Sequence, residues 1–297
     1  MKALLKWVGA AFGLVVLAAA GSLAVLYAVA AVKTHKSWRV PADPIAADVA
    51  RADAKRGERL TRVRMACVEC HADDLGGKMY IEDPALGKLY GSNLTPAALK
   101  DWTDDEIGRA IRHGVDRAGR PLLLMPSQDY QHLTRRDLAD IVAYLRSVPA
   151  AARPTRPSSL GPVMTVLVAL GKAPTMTPAA VVDHAAPFAE PVPETVTPEF
   201  GHYIARTLCM GCHGQGLTGG PIPGGDPHWP PAAGLTPDAL GGWSEADFIK
   251  TMRTGKNPSA ATLRAPMVVK YTAQFSDDEL KALWAYLKTV KPAITEF

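Results

Sequence analysis

One five-residue pattern, Cys-x-x-Cys-His, occurs twice in this chain and restricts what the chain can fold into. It occupies residues 67–71 and 209–213, and the two copies contain all four cysteines of the 297 residues. On a helix, positions i, i+3 and i+4 share one face, so two thiols and one imidazole project to the same side. This arrangement is the attachment signature of a c-type haem, with two thioether bonds to the porphyrin and a histidine on its iron. The predicted attachment residues are Cys67, Cys70 and His71 in the first copy and Cys209, Cys212 and His213 in the second.

The sequences that follow the two motifs also repeat. A methionine, Met125 or Met267, lies 54 residues after the motif histidine in both copies, and a Tyr-Leu pair begins 19 residues after that methionine. A tryptophan lies 31 residues after the histidine in the first copy and 30 in the second. Such self-similarity indicates one structural unit used twice. We therefore expect two covalent haems.

The four cysteines are also compatible with other sites, and their spacing weighs against each of them. A zinc ribbon places its two C-x-x-C pairs roughly 15–20 residues apart, whereas 138 residues separate Cys70 from Cys209. Two disulfides, or a redox-active C-x-x-C in one copy, would explain neither the trailing histidine nor the distant methionine.

An uncharged run at residues 7–32 precedes both motifs. Its 26 residues exceed the roughly 20 that cross a bilayer as a helix, and the apolar core of a secretory signal has only about 7–15. Residues 1–39 carry a net charge of +5 and the whole chain only +4, so the basic excess flanks a predicted membrane helix. We expect an uncleaved signal-anchor, the alternative being a long signal peptide cut near residues 28–31. The sequence has no basic stripe with interleaved aromatic residues, so nucleic-acid binding is not predicted.

Haem is attached outside the cytoplasm in bacteria, so the haem domains are expected in the periplasm, behind a single pass through the inner membrane. The pattern predicts an all-α fold with two tandem haem domains behind the N-terminal helix. The predicted segments are an anchor at 1–39, a first domain at 40–149, a linker at 150–196 and a second domain at 197–297.

Local signals place the main helices. Capping boxes at residues 103–106 and 276–279 open helices, and Gly57 and Gly201 are placed where two helices would approach closely. Residues 72–101 are rich in Gly, Pro and Asp and are predicted to be loop. An apolar island at residues 160–170 is too short to span a bilayer. Packing within the protein is its expected role, with contact to the membrane or to a partner as alternatives.

Each unit resembles a class I cytochrome c domain, with an N-terminal helix, C-x-x-C-H, loops, a methionine ligand and a C-terminal helix ending in Tyr-Leu. Residues 92–96, Trp102 and residues 112–114 are similar to the cytochrome c subunits of membrane-bound periplasmic dehydrogenases acting on alcohols, gluconate or aldehydes. Those subunits usually carry three haem domains, and this chain has two. The second copy departs further: Ala-Gly replaces the Ser-Asn pair, and Val268 follows its methionine where the first copy has a proline.

The resemblance implies two axial ligand pairs, His71 with Met125 and His213 with Met267. The residues themselves support the methionines, because a thioether is a soft iron ligand and both lie in proline-containing loops rather than in apolar helix stripes. Three other histidines are alternative ligands but are expected at the surface or in loops, namely His113, His202 and His228.

Iron with both axial positions filled has no open site for a substrate. We therefore predict electron transfer, with no catalytic residue. The expected partners are membrane-bound dehydrogenase subunits or a quinol-oxidising complex as donor, a terminal oxidase or small redox carrier as acceptor, and lipid around the N-terminal helix. A peroxidase-like dihaem enzyme with one open haem, and an assembly factor that binds haem only structurally, are the alternatives. Because the ligand sets are separate, the two haems are expected to respond independently.

Overall fold

Helices dominate the computed structural model, which describes residues 2–223, 225 and 229–291. The N-terminal helix α1 spans Lys2–His35. The first repeat contains α2 Ala46–Val49, α3 Ala54–Arg59, α4 Val68–His71, α5 Pro96–Leu99, α6 Asp104–His113, α7 Ser127–Tyr130 and α8 Arg135–Ser147. After α9 Pro162–Ala169, the second repeat contains α10 Pro198–Ile204, α11 Met210–His213, α12 Glu245–Thr254, α13 Val269–Thr272 and α14 Asp277–Leu287. In both repeats a π-helical turn, Leu60–Arg64 or Ala205–Cys209, leads from the preceding helix, α3 or α10, into the motif.

A small antiparallel sheet corrects the prediction that residues 72–101 are loop. Strands β1 Lys78–Asp83 and β2 Gly87–Gly91 form a hairpin, and β3 Ser159–Leu160 pairs with β2 from the other side. Side chains of β1 alternate between exposed and half-buried, as expected of a half-covered strand. The surrounding Gly, Pro and Asp residues mask this alternation in the sequence.

One glycine in each repeat allows two helices to pack closely at the centre of that repeat. A Cβ on Gly57 in α3 would overlap the carbonyl oxygen of Asp140 in α8, and a Cβ on Gly201 in α10 would overlap that of Ala282 in α14. The prediction of close helix approach is therefore confirmed in both repeats. The predicted capping boxes at Thr103 and Ser276 are also present, each with reciprocal side-chain and backbone hydrogen bonds.

The segment after α8, predicted to be a linker, lies along the first repeat. Asn93 donates from Nδ2 to the carbonyl oxygens of Ala151 at 2.8 Å and Arg153 at 2.7 Å. Further along, Arg112 in α6 donates to the Ala186 carbonyl. These bonds hold the segment on the repeat, so it does not act as a free tether.

The two repeats pack against each other around the buried side chain of Arg64. Its Nη1 lies 2.7 Å from Oε1 of Glu194, and its guanidinium lies over the rings of Phe200 and Tyr203 at 5.3 and 5.6 Å. Asp137 of α8 and Glu279 of α14 carry carboxylate oxygens 3.9 and 3.8 Å from it. These two acids occupy the same position, the third residue of the last long helix, in their own repeats.

A second set of bonds ties the same interface. The Tyr203 hydroxyl donates to Oδ2 of Asp137 at 2.7 Å and accepts from the Thr134 amide at 3.1 Å. Val63 of the first repeat also belongs to the apolar core of the second, and Tyr271 of the second repeat belongs to the core of the first. The two cores therefore interlock.

Substituting Gly57 or Gly201 with alanine should destabilise the protein, since the added methyl group would force α3 from α8 or α10 from α14. Overpacking of this kind costs about 1–3 kcal/mol. Denaturant unfolding of the haem-loaded protein measures the loss. Gly216→Ala is the matched control, because its Cβ would meet nothing closer than 3.5 Å. Equal stability of all three variants would contradict the close approach.

Replacing Arg64 with methionine should destabilise the interface, because Glu194 loses a charged hydrogen bond and two buried carboxylates lose a nearby cation. Those carboxylates, Asp137 and Glu279, keep closer partners in Arg56 and Arg59. Because each acid keeps another arginine, the expected loss is that of a hydrogen bond to a charged group, about 1.5–3 kcal/mol. Arg51→Met is the control: Arg51 pairs with Asp48 at the surface, where such pairs contribute about 0–1 kcal/mol. The same measurement applies, and an Arg64 variant no less stable than the Arg51 variant would show that the guanidinium does not hold the repeats together.

Candidate haem-binding sites

The motif histidines are oriented in the same way in both repeats. Nδ1 of His71 donates to the carbonyl oxygen of Ser92 at 2.7 Å, and Nδ1 of His213 donates to that of Ala233 at 2.7 Å. A carbonyl oxygen only accepts, so the proton lies on Nδ1 and leaves Nε2 with a free lone pair. Burial lowers the pKa of both imidazoles, which keeps them neutral. Each Nε2 is thus in the state that an iron ligand requires.

The replacement of the Ser-Asn pair of the first copy by Ala-Gly in the second has a simple structural explanation. The histidine bond uses a backbone carbonyl, so Ser92 and Ala233 serve equally well. Asn93, by contrast, uses its side chain to bind residues 151 and 153. These residues belong to the segment that follows the first repeat, so Gly234 at the equivalent position has no such task.

The two cysteines of each motif lie at the start and end of one helical turn and form no disulfide. Burial raises the pKa of Cys67 to about 12 and that of Cys209 to about 12. Each Cys-x-x-Cys pair and its histidine therefore present two protonated thiols and one neutral imidazole within five residues. This donor set fits covalent haem attachment.

The predicted methionine ligands occupy equivalent loops. Met125 and Met267 are half-buried, and each packs on the same apolar core as the first cysteine of its own repeat. The carbonyl oxygen of each accepts from the amide two residues later, at 2.8 Å for Met125 and 3.0 Å for Met267. Each loop then enters a short helix, α7 or α13.

The missing proline after Met267 does not change the turn that follows the methionine. Pro126 has φ −78° and ψ 50°, and Val268 has φ −86° and ψ 49°. Valine therefore adopts the backbone conformation that the proline ring imposes in the first copy. From the methionine onward the two loops therefore share one conformation, whereas the residue before the methionine differs: Leu124 has φ 63°, which the ring of Pro266 does not allow.

The alternative histidines have other surroundings. His113 is fully buried, with Nε2 2.7 Å from Oδ2 of Asp43 and Nδ1 3.0 Å from Nδ1 of His184. The expectation that it lies at the surface or in a loop is wrong, because α6 ends on it and the segment after α8 covers it. His202 is half-buried, with its ring 4.9 Å from that of Tyr286. His228 lies outside the described residues.

Contacts between each methionine loop and the opposite motif were not foreseen from the sequence. The Tyr271 hydroxyl, four residues after Met267, donates to Oε2 of Glu69 inside the first motif at 2.6 Å. Asp129, four residues after Met125, lies against Gly211 inside the second motif, where a Cβ would overlap its carboxylate. Burial raises the pKa of Asp129 to about 7. Tyr271 and Asp129 each lie four residues after a methionine, and this equal spacing is visible in the sequence. The sequence does not show, however, that the two repeats face each other.

Family comparisons match both repeats. Residues 52–145 match the family described as Cytochrome C oxidase, cbb3-type, subunit III, and residues 200–291 match the family described as Cytochrome c. The chain is 29% identical over 273 residues to a diheme cytochrome c-type protein of Cereibacter sphaeroides, covering 82% of this chain and 87% of that protein.

Two further relatives are cytochrome c subunits. The chain is 27% identical to that of alcohol dehydrogenase (quinone) from Gluconobacter oxydans, covering 84% of this chain and 57% of the relative. It is 27% identical to that of gluconate 2-dehydrogenase from Pantoea cypripedii, covering 80% of this chain and 59% of the relative. The chain thus spans little more than half the length of these two relatives. Together the family matches and relatives show that this chain is a dihaem cytochrome c, with two tandem cytochrome c domains and two covalently bound haems, similar to the cytochrome subunits of dehydrogenases.

Proposed function

We propose that the chain supplies both axial ligands to each iron, His71 with Met125 and His213 with Met267. Thioether bonds from Cys67 and Cys70, and from Cys209 and Cys212, would hold the two porphyrins. The proposal rests on the neutral Nε2 of each histidine and on the matching loops that carry the methionines. Bound haem supplies one-electron Fe(III)/Fe(II) chemistry, and a methionine ligand favours a high potential.

With both axial positions occupied by side chains, the chain would leave no coordination site for a substrate. It therefore acts as an electron relay and not as an enzyme. The alternative, a peroxidase-like dihaem enzyme, needs one open iron. It would require one methionine to be presented differently from the other, whereas both methionines lead into the same turn, with matching backbone angles and hydrogen bonds.

The observation that best supports a relay is the reciprocal docking of the methionine loops. Tyr271 follows one methionine and binds the first motif, while Asp129 follows the other and contacts the second motif. The same two loops thus shape both ligand pockets and the contact between the repeats. The chain thereby holds its two attachment sites beside one another across a buried interface, which suits transfer between them.

The proposed location is the periplasmic face of the inner membrane. Helix α1 is 34 residues long and mostly exposed, and it is the one helix in the described ranges that is long and apolar enough to span a bilayer. A signal sequence near the N-terminus has the same properties. Anchoring is favoured by the length of the uncharged run and by the contacts of α1 with α9, since removal of the peptide would take Leu26 and Ala30 from the cluster in which α9 packs.

The proposed donor is a dehydrogenase subunit, by analogy with the relatives, or a quinol-oxidising complex. A terminal oxidase or a small redox carrier is the proposed acceptor. The relatives named as alcohol dehydrogenase (quinone) and gluconate 2-dehydrogenase cytochrome subunits support the dehydrogenase.

Met125→Ala and Met267→Ala should each abolish the sulfur-to-iron absorption of one haem and lower its potential, because the soft thioether favours reduced iron. Each should also open that haem to carbon monoxide, which the native protein should bind poorly. Spectra, potentiometric titration and carbon monoxide difference spectra measure these effects. Met252→Ala, in the core of the second repeat, is the control: it should lose about 2–5 kcal/mol of stability without a spectral change. Native protein that bound carbon monoxide readily and turned over peroxide would establish the enzyme instead.

Tyr271→Phe should lower the potential of the first haem, although Tyr271 belongs to the second repeat. Without the hydroxyl, the carboxylate of Glu69 keeps its full negative charge beside Cys70, and that charge favours oxidised iron. The separate ligand sets predict independent haems, whereas this contact predicts that the second repeat influences the first. Tyr286→Phe, which leaves the Glu69 contact intact, should leave the potential of the first haem unchanged. Identical titrations of the Tyr271 variant and the native protein would uphold independence.

A further inference from the structure

We propose that helix α9 lies in the membrane interface beside α1, with Val163 and Leu170 in contact with lipid. This proposal rests on the anchoring of α1 proposed above, and it assigns a role to the apolar island at residues 160–170. The bilayer, and not a protein partner, would cover the exposed apolar side chains of α9.

The composition of α9 and its flanks suits such a position. Lys172 is the one charged residue between positions 157 and 182. Met164 and Val168 are buried, whereas Val163 and Leu170 expose 49% and 56% of their surface. One side of the helix is thus covered by the protein, and apolar side chains at both ends remain uncovered.

Helix α9 is fixed at the C-terminal end of α1. Ala30 is buried in a cluster with Met164 and Val168, and Leu26 packs on the same cluster. Lys33 donates from Nζ to the carbonyl oxygens of Val168 at 3.0 Å and Ala169 at 2.9 Å. This ammonium therefore satisfies carbonyl groups at the end of α9 and neutralises its negative helix pole. The contacts place α9 beside residues 26–33 of α1.

These residues of α1 belong to the end of its apolar run. The 26 uncharged residues at 7–32 span about 39 Å as a helix, compared with about 30 Å for the hydrocarbon core. With this excess of about 9 Å shared between the two ends, the last turn of the run lies at the boundary between acyl chains and headgroups, and the turn before it lies in the outer hydrocarbon. A helix packed beside them lies at the same depth, where an apolar face is stable in contact with lipid.

The chain on either side of the α1–α9 contact carries the charge expected near lipid headgroups. Val32 of α1 is exposed on the same end of the anchor. Lys36, Arg39 and Lys172 are also exposed there, and basic residues at a membrane surface attract anionic lipid. A lipid surface would contact the apolar ends of α9 and these cations together.

The test uses the full-length, haem-loaded protein in vesicles of phosphatidylethanolamine and phosphatidylglycerol. Haem attachment blocks the four native thiols, so one added cysteine is the only free thiol. Val163→Cys and Leu170→Cys, labelled with a nitroxide, should show several-fold higher accessibility to oxygen relative to a water-soluble nickel chelate than Val196→Cys. Val196 is the matched control, since it is 46% exposed and lies outside α9. Phe12→Cys, near the N-terminal end of the uncharged run, reports on the anchor itself.

The possible outcomes separate the two proposals. Labels at 163 and 170 that resemble the label at 12 support lipid contact. If they instead resemble the label at 196 while position 12 is in lipid, the inference about α9 is wrong and the anchor stands. Labels at 163 and 170 that neither reagent reaches would show that protein covers this face. A label at position 12 that the nickel chelate reaches would refute the anchor.

Discussion

The buried guanidinium of Arg64 is the interaction on which the arrangement of the two repeats depends. Removing such a charge from water is costly, and here Glu194, carboxylates from both C-terminal helices and two aromatic rings offset that cost. Arg64 precedes Cys67 by three residues, so fixing its side chain also fixes where the first motif begins. The helix contacts at Gly57 and Gly201 then position the rest of each repeat.

Because the repeats pack through this interface, the methionine loop of each repeat contacts the Cys-x-x-Cys-His motif of the other. The duplicated units meet through equivalent positions, but the residues there have diverged, with Tyr271 against Glu69 on one side and Asp129 against Gly211 on the other. Two copies of one fold therefore give their two haems different electrostatic surroundings. A carboxylate bound by a phenol lies beside one motif, and a buried carboxyl whose pKa is raised lies beside the other. Such differences set the potentials of similarly ligated irons apart.

The segment between the repeats connects the first repeat to the N-terminal helix. Its start is bound by Asn93, β3 extends the hairpin, α9 packs on α1, and its end covers His113. The first repeat and the end of α1 therefore form one packed body. In the proposed membrane setting, this would fix the height and orientation of the first haem site relative to the bilayer.

The sequence by itself determined the chemistry of each haem site, because that chemistry is local. Two thiols and an imidazole must lie within one helical turn, and the caps at Thr103 and Ser276 act within four residues. The methionine loops were identified by equal spacing, which duplication preserves. Features that depend on partners distant in sequence were decided only by the tertiary structure. They are the hairpin within residues 72–101, the burial of His113, the packing of the apolar island on α1, and the contact of each methionine loop with the opposite motif. The spacing within a repeat carries no information about how two repeats face each other, since that depends on surface complementarity and on the burial of charges such as Arg64.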